Sequence, residues 1–257
     1  MPQRASTTPW VARVEVFDEI DSTNSEAMRR ALSGETGPVW LRAGVQTRGR
    51  GRSGRSWVSP RGNLYATLLF APQCTPGTVH QLSLLAGIAV YDAIGSAGAA
   101  PPALRLKWPN DVLIGSAKVA GVLAESIVGQ GGAPMALLGI GINLASSPTG
   151  SGQATTHVSA HGINLEPKAT LEILDATVCR WLAVWDRGNG FATIRSAWLE
   201  RAGPEGETLA ISAGSGRVEG RFAGLDADGS LLLRDDAGRA QRFTFGDVTV
   251  VPGRSGA

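Results

Sequence analysis

The segment LRLKWPNDVLIGSAKVAGVLAES (residues 104–126) constrains the fold of this chain more strongly than any other stretch. Apolar and polar residues alternate in LRLK, and the following Pro109, Asn110 and Asp111 are residue types that favour turns. Gly115 and Ser116 mark a second, tight turn between two further β-prone runs. The pattern predicts three consecutive strands joined by two short turns.

On both sides of this segment, strand-like and helix-like patterns alternate along the chain. Alternating or apolar β-prone runs predict four more strands, at residues 11–20, 37–47, 63–71 and 135–144. Apolar residues at helical spacing predict four helices, at residues 25–32, 79–98, 168–188 and 191–202. We therefore expect a layered structure of the α/β or α+β class.

The character of the chain changes after about residue 205. Short alternating segments such as RVEGRFAGLD (217–226) and SLLLRD (230–235) follow one another, separated by glycine or aspartate turns. This pattern is typical of a small antiparallel barrel. We expect two domains, residues 1–205 and residues 206–257, and we see no internal repeat.

The composition argues against several classes of protein. The 24 lysines and arginines against 22 acidic residues leave a formal charge of only +2, less basic than a protein that coats nucleic acid. Cys74 and Cys179 lie far apart without metal-ligand spacing, so neither a disulfide framework nor a zinc site is indicated. No run approaches the roughly 20 apolar residues of a membrane span, and the first ten residues contain no apolar signal core. We expect a soluble cytoplasmic protein.

The segment QTRGRGRSGRSW (46–57), the arginine loop, places four arginines among three glycines between two predicted strands. Its part GRGRSGRS resembles a P-loop, but a proline and a strand follow where that motif requires a helix, so the P-loop interpretation fails. A disordered basic linker or a nucleic-acid patch is a second interpretation. Its position inside one domain, without repetition, argues against that interpretation.

We favour a third interpretation, a loop that closes over a small phosphorylated ligand. Glycines allow the backbone to approach a ligand closely, and guanidinium groups pair with phosphate oxygens in bidentate fashion. A flexible charged lid also excludes water once it closes. A reactive acyl phosphate needs such protection.

Four other motifs accompany the arginine loop: DSTNSEA (21–27), LKWPNDV (106–112), KVAGVLAE (118–125) and GIGINL (139–144). In this order and at these separations the sequence resembles the biotin protein ligases, which attach biotin to a lysine of a carrier domain. The resemblance covers most of residues 11–250. Its joint motifs are highly specific, although each alone is weak.

The resemblance implies an α+β fold. Its parts are a mixed-sheet catalytic domain related to class II aminoacyl-tRNA synthetases and a small C-terminal barrel of the Src-homology-3 type. Repressor-type members of the family also carry an N-terminal winged helix that binds DNA. Only about ten residues precede the first predicted strand here, so we expect neither that module nor a specific DNA partner.

The resemblance also implies the reaction. Biotin and ATP form biotinyl-5′-adenylate with release of pyrophosphate, and the acyl group then passes to a lysine of a biotin carboxyl carrier domain of a carboxylase. Magnesium is expected with the triphosphate, held mainly by phosphate oxygens and water, and no protein ligand for it is identified. We expect a monomer or weak homodimer without membrane partners.

Two alternative functions stay open. One is a lipoate or octanoate ligase or transferase of related fold, although neither cysteine lies in a motif that suggests the nucleophile of an octanoyltransferase. The other is a non-catalytic module that binds phosphate or nucleic acid, whose affinity for DNA would fall steeply with salt.

By resemblance, Ser22, Thr23 and Asn24, with Gln46, line the biotin end of the site. Hydroxyl and amide groups suit a ureido ring, which carries both hydrogen-bond donors and an acceptor. A structural interpretation is compatible with this role. Thr23 and Glu26 match a capping box for a helix beginning near Asn24.

In the arginine loop, the resemblance assigns Arg50, Gly51 and Arg52 to contacts with biotin and the adenylate phosphate. Arg55 adds positive charge against the leaving pyrophosphate. Trp57 covers the ligand as an anchor of the lid, or serves only in packing.

The WPND turn contributes three more candidates. The resemblance places Lys107 against phosphate and Asn110 against the nucleotide. Asp111 orients or deprotonates the incoming lysine amine, as a general base would.

Lys118 is the strongest catalytic candidate, and with Arg52 and Asp111 it completes the catalytic set that the resemblance implies. Its ammonium bridges the biotin carboxylate and the α-phosphate and stabilises charge that grows in the transition state. Gly121 leaves room for the ligand at the strand.

GIGINL fails as a dinucleotide fingerprint because Leu144 replaces its last glycine, whereas Asn143 is a candidate partner for adenine. The loop 145–157 is expected to fold over the adenine.

Overall fold

The computed structural model describes residues 11–96, 104–130, 132–149, 153–213 and 216–251. Within these ranges the chain forms four helices and twelve strands. The helices are α1 (Thr23–Leu32), α2 (Gln81–Ser96), α3 (Pro167–Trp185) and α4 (Phe191–Glu200). The strands are β1 (Arg13–Ile20), β2 (Val39–Gln46), β3 (Leu64–Phe70), β4 (Leu104–Lys107), β5 (Asp111–Ile114), β6 (Ala117–Val128), β7 (Pro134–Ile142), β8 (Thr208–Ala213), β9 (Gly216–Leu225), β10 (Leu231–Arg234), β11 (Ala240–Phe243) and β12 (Asp247–Val250).

The predicted helices and strands are confirmed, with boundaries that differ by a few residues. The helix predicted at 168–188 ends at Trp185 because Asp186 adopts a left-handed backbone conformation (φ 43°), and a 3₁₀ turn takes up residues 186–188. The end of the helix predicted at 79–98 and residues 150–152 of the predicted loop lie outside the described residues.

Seven strands form one mixed sheet in the order β1-β2-β3-β7-β6-β5-β4. β1 and β2 run parallel, and every other neighbouring pair is antiparallel. The three strands predicted at 104–126 therefore form the β4–β5–β6 end of the sheet. β7 inserts between β6 and β3, which brings the KVAGVLAE and GIGINL motifs side by side.

The two faces of the sheet are covered differently. α1 packs on one face over a small apolar cluster that includes Ala27, Leu41 and Leu137. α2, α3 and α4 cover the other face and form the main core with it. α2 is apolar on nearly every side because it contacts the sheet, α3 and α4. Each fully buried large apolar side chain in this core contributes about 1.5–3 kcal/mol. The face carrying α1 is left partly open beside the N-terminus of that helix.

The last five strands form an antiparallel sheet in the order β11-β10-β9-β8-β12, a small C-terminal β domain. It packs against α4 and against the turn between β4 and β5. Phe222 meets Trp198 of α4 edge-on with ring centroids 6.5 Å apart, and the indole nitrogen of Trp108 donates to the carbonyl of Gly229 (3.0 Å). The α+β class is confirmed, whereas the domain limits at residue 205 stay a prediction. No helix in the described ranges is long and apolar enough to cross a membrane.

Candidate active site

A row of directly opposed residues crosses the sheet on the face that carries α1. Lys107 pairs with Asp111, Asp111 with Gly121, Gly121 with Gly141, and Gly141 with Tyr65. Side chains of opposed residues point to the same face of a sheet. The KVAGVLAE and GIGINL motifs thus supply two adjacent glycines, Gly121 and Gly141. Because glycine has no side chain, the sheet surface has a depression here, between Asp111 on one side and Tyr65 on the other.

Trp57, at the end of the arginine loop, lies in this depression. A Cβ atom placed on Gly141 would come within 2.6 Å of its indole, and one on Gly121 within 3.1 Å. The indole nitrogen is buried and has no hydrogen-bond partner. The ammonium of Lys118 lies 5.1 Å from the ring centroid, within reach of a cation–π interaction. The two glycines are therefore required for the close approach of a planar ring to the strands.

The N-terminus of α1 forms one end of the site. Ser22 is the N-cap, with extended backbone (φ −162°, ψ 136°), and its hydroxyl accepts from the amide of Ser25 at 3.5 Å. The predicted capping box of Thr23 and Glu26 is wrong. The Thr23 hydroxyl donates instead to Gln46 Oε1 (3.1 Å), and Glu26 pairs with Arg30 (2.8 Å). The helix begins at Thr23 itself, so Ser22 occupies the cap position and the Thr23 hydroxyl bonds to Gln46 instead.

Asn24 is buried above Gly139, where any side chain would overlap it. Its oxygen accepts from the hydroxyl of Thr67 (2.6 Å), and its amide nitrogen donates to Glu125 Oε2 (2.9 Å). These bonds fix which way the amide points. Gln46 is equally constrained, since its oxygen accepts from the Thr23 amide (2.9 Å) and its nitrogen donates to Ser59 (2.9 Å). Gln46 thus connects the N-terminus of α1 to Ser59, just after the arginine loop.

The arginine loop forms a tight turn over the cavity. The amide of Gly51 donates to the carbonyl of Arg55 (2.7 Å), and Ser53 adopts a left-handed conformation (φ 54°) at the tip. Arg50 makes a bidentate ion pair with Glu125 (2.7 and 3.2 Å). The loop is therefore ordered by its own backbone and fixed by its side chains.

Two arginines of the loop reach the C-terminal β domain. Arg52 donates to Asn110 Oδ1 (3.1 Å) and to the carbonyl of Gly246 (3.2 Å), and Arg55 pairs with Asp247 (2.6 Å). Burial lowers the pKa of Arg52, which still stays charged at neutral pH because guanidinium groups are effectively never deprotonated in proteins. The β domain thus supplies two anchors for the loop.

Lys107, Asp111 and Lys118 form a buried charge cluster. Asp111 lies 2.8 Å from Lys107 Nζ and 2.5 Å from Lys118 Nζ, and its side chain is 8% exposed. Burial acts to raise the pKa of Asp111, but the charges of Lys118 and Lys107 outweigh it, so that pKa lies below its ordinary value. Lys107 also donates to the carbonyl of Val248 in β12 (2.9 Å). The ion pair with Asp111 holds the Lys118 side chain at the edge of the cavity.

The loop after β7 closes the adjoining side of the site. Asn63 Oδ1 accepts from the amides of Leu144 and Ala145 (2.9 Å each), and the amide of Lys118 donates to the carbonyl of Ala154 (2.8 Å). The nitrogen of the Asn143 side chain donates to the carbonyl of Thr156 (3.0 Å), while its buried oxygen has no partner. That free acceptor suits an amino group of a ligand.

The structure brings the predicted residues together. Most of them line one cavity of about 160 Å³: Ser22, Thr23, Asn24, Gln46, Arg50, Gly51, Arg52, Arg55, Trp57, Asn110, Lys118, Gly121 and Asn143. Lys107 and Asp111 line a groove towards the β domain that also contains Arg52 and Asn110. The cavity is smaller than the roughly 300–1,000 Å³ of typical ligand sites because Trp57 fills part of it.

Sequence reasoning missed several residues of the site. Glu125 could have been found, since the two-residue period of a strand places it on the same face as Gly121. Thr67 and Asn63 carried no comparable signal. Asp247 and Val248 could not be found, because only the packing of the β domain brings them to the arginine loop and Lys107.

Comparisons with known proteins show the family to which the chain belongs. Residues 16–143 match the family model described as "Biotin/lipoate A/B protein ligase family", and residues 206–251 match "Biotin protein ligase C terminal domain". The chain belongs to the biotin/lipoate A/B protein ligase family, which confirms the predicted resemblance.

Individual relatives and solved structures are also similar to this chain. The chain is 43% identical over 225 residues to "Biotin--[acetyl-CoA-carboxylase] ligase" of Paracoccus denitrificans, covering 85% of this chain and 93% of the relative. It is 31% identical over 229 residues to "Bifunctional ligase/repressor BirA" of Escherichia coli, covering 87% and 70%. The solved structure of the Aquifex aeolicus biotin protein ligase in complex with biotin and ATP is also similar. Its TM-score is 0.80 at 26% identity, covering 93% of this chain and 99% of the other.

Proposed function

We propose that this protein activates biotin with ATP to biotinyl-5′-adenylate and transfers the biotinyl group to a lysine of a biotin carboxyl carrier protein. The observation that carries the proposal is the convergence of Lys118 and the arginine loop on one cavity. The polar α1 terminus lies at the same cavity, where it suits the ureido ring. The names of the relatives and the biotin and ATP bound to the similar solved structure support it.

In the first step, a carboxylate oxygen of biotin attacks the α-phosphorus of ATP, and the bond from phosphorus to the pyrophosphate oxygen breaks. Negative charge builds up between the carboxylate and the α-phosphate. The ammonium of Lys118 is fixed by Asp111 at 2.5 Å and can lie between these groups. Arg52 and Arg55, on the other side of the cavity, suit the phosphates and the departing pyrophosphate.

In the second step, the amine of the acceptor lysine attacks the acyl carbon, the bond to the AMP oxygen breaks, and the amine loses a proton to solvent. Two roles for Asp111 were open from the sequence, to orient or to deprotonate the incoming lysine amine, and the geometry argues against deprotonation. Both carboxylate oxygens face ammonium groups at 2.5 and 2.8 Å, and a carboxyl whose pKa is lowered is a weak base at neutral pH. Asp111 then acts by holding Lys118 in place.

Magnesium enters in this proposal as part of the substrate, bound to the phosphates of ATP. The residues of the site do not suit a resident metal ion, because both oxygens of Asp111 are paired with lysines. In the described ranges no group of three or more potential metal ligands lies together. The protein's contribution is cationic side chains around the triphosphate, with phosphate oxygens and water completing the coordination of the ion.

The adenine is assigned to the side of the cavity that holds Asn143. Its unpaired Oδ1 can accept from the exocyclic amino group, and Trp57 offers an aromatic face for stacking once it leaves the depression.

We also propose that the protein is cytoplasmic, and its two cysteines, which form no disulfide, support this location. We further propose that it is a monomer or weak homodimer and that it has no specific DNA target.

The test is a biotinylation assay. Purified protein, a biotin carrier domain and Mg-ATP should yield carrier that binds streptavidin when biotin is added, and far less acylated carrier when lipoate or octanoate replaces biotin. Omission of ATP should abolish the product. Equal acylation by lipoate, or acylation without ATP, would overturn the proposal in favour of a lipoate ligase or an octanoyltransferase.

A further inference from the structure

Glu125 is a carboxylate at the site that the proposed reaction does not use. It lies on β6, two residues beyond Leu123 and four beyond Gly121, and faces the same side of the sheet. Its side chain is 21% exposed. A negative charge beside a cavity that binds an anionic adenylate opposes ligand binding. We therefore expect another role of this carboxylate, to be found in its contacts.

The contacts of Glu125 point to that function. Oε1 accepts from Arg50 at 2.7 Å, and Oε2 accepts from Arg50 at 3.2 Å and from Asn24 at 2.9 Å. One carboxylate therefore joins the two separate segments that contact the ligand, the α1 terminus and the arginine loop. Arg50 is neutralised by this pairing, which makes it a poor ligand for phosphate.

The remaining contacts of the arginine loop show why this link matters. The backbone bonds of Gly51 to Arg55 and of Trp57 to Gly49 lie within the loop itself. Arg52 and Arg55 tie the second half of the loop to the β domain. The start of the loop is bonded to the end of β1, where the amide and the hydroxyl of Thr47 donate to the carbonyl of Ile20 (2.9 and 3.5 Å). Beyond that point, among the side-chain contacts that residues 49–51 make with other described residues, the Arg50–Glu125 pair is what ties the first half to the main sheet.

We propose that Glu125 is a positioning residue, which holds Arg50 as a strut so that the arginine loop stays closed over the adenylate. This inference rests on the proposed function. Closure of the first half of the loop beyond Arg48 then depends on Glu125, while the charge that meets the phosphates comes from Arg52, Arg55 and Lys118. Loss of Glu125 should open the loop without removing any group that contacts the phosphates.

The experiment compares wild type with Glu125→Gln, which keeps the shape but loses the charge and the bidentate pairing. Adenylate is formed in a single turnover from radiolabelled ATP, and its release from the protein is followed by filtration. We expect release roughly tenfold faster, since a charge-assisted hydrogen bond is lost. Formation of the adenylate should stay within about threefold, and the KM for ATP should not rise.

Two controls test the physical route. Glu219→Gln removes an exposed carboxylate that pairs with Arg217 on the β domain, and it should release adenylate at the wild-type rate. The double variant Arg50→Gln with Glu125→Gln should release adenylate no faster than Glu125→Gln alone, because both changes remove the same strut. Additive effects would mean that Glu125 does not act through Arg50.

A second readout separates failure of this inference from failure of the proposed function. Trypsin should cut loop 49–56 of the ligand-free Glu125→Gln variant roughly tenfold faster than that of wild type, whatever reaction the protein catalyses. Unchanged cleavage together with unchanged release would overturn the role of Glu125. Faster cleavage in a protein that forms no adenylate would support the role of Glu125 and overturn only the proposed function.

Discussion

Replacement of Asp111 by asparagine tests the buried charge cluster most directly. The substitution keeps the shape of the side chain but leaves the ammonium groups of Lys107 and Lys118, 10% and 17% exposed, without a counter-charge. Removal of one partner from a buried ion pair costs about 3–5 kcal/mol. Because Lys107 keeps its bond to the carbonyl of Val248, we expect the lower end, about 3 kcal/mol.

The assay is urea unfolding at pH 7, supported by thermal melts. A loss of about 3 kcal/mol corresponds to a fall in Tm of about 6–12 °C for a chain of this size. The matched control Glu219→Gln removes an exposed carboxylate and should stay within about 0.5 kcal/mol of wild type. A loss below about 1 kcal/mol in Asp111→Asn would refute the claim that the two lysines depend on this carboxylate.

The pH dependence gives an independent check. Burial acts to raise the pKa of Asp111, but Lys118 and Lys107 outweigh it and hold that pKa below its ordinary value of 3.8. The stabilisation by the ionised carboxylate is therefore complete above that value and is lost as the pH falls through the lower pKa of the folded protein. The difference in free energy of unfolding between wild type and Asp111→Asn should stay constant from pH 7 to about 5 and shrink at lower pH. A difference that grows on acidification would contradict this.

Three further outcomes are expected. Lys118→Ala should abolish adenylate formation while Tm stays close to wild type, since Asp111 keeps Lys107; normal turnover would remove Lys118 from the mechanism. Loop 49–56 should resist trypsin better with biotin and ATP than without, and unchanged cleavage would argue against closure. Gly141→Ala should displace the indole of Trp57, seen as a changed tryptophan fluorescence, and cost about 1–3 kcal/mol; an unchanged spectrum would contradict the contact.

Much of the fold was accessible from local patterns. The alternation of β1 and the helical spacing of α3 are visible in the sequence, and turns are marked by glycine, proline and aspartate. The switch to short alternating segments after residue 205 likewise indicated the C-terminal β domain. The capping box failed for a different reason. Its pattern is genuine, but tertiary contacts to Gln46 and Thr67 use the hydroxyl of Thr23 first.

The candidate residues of the site could be named because short motifs combine cations and glycines near strands and turns. In such motifs the residue types by themselves indicate which ligand groups they can bind. How those residues are employed could not be read from the sequence. Insertion of β7 between β3 and β6 makes Gly121 and Gly141 neighbours, and docking of β12 brings Asp247 to Arg55. Such contacts join residues far apart in the chain, and their energies depend on burial and distance, which exist only after folding.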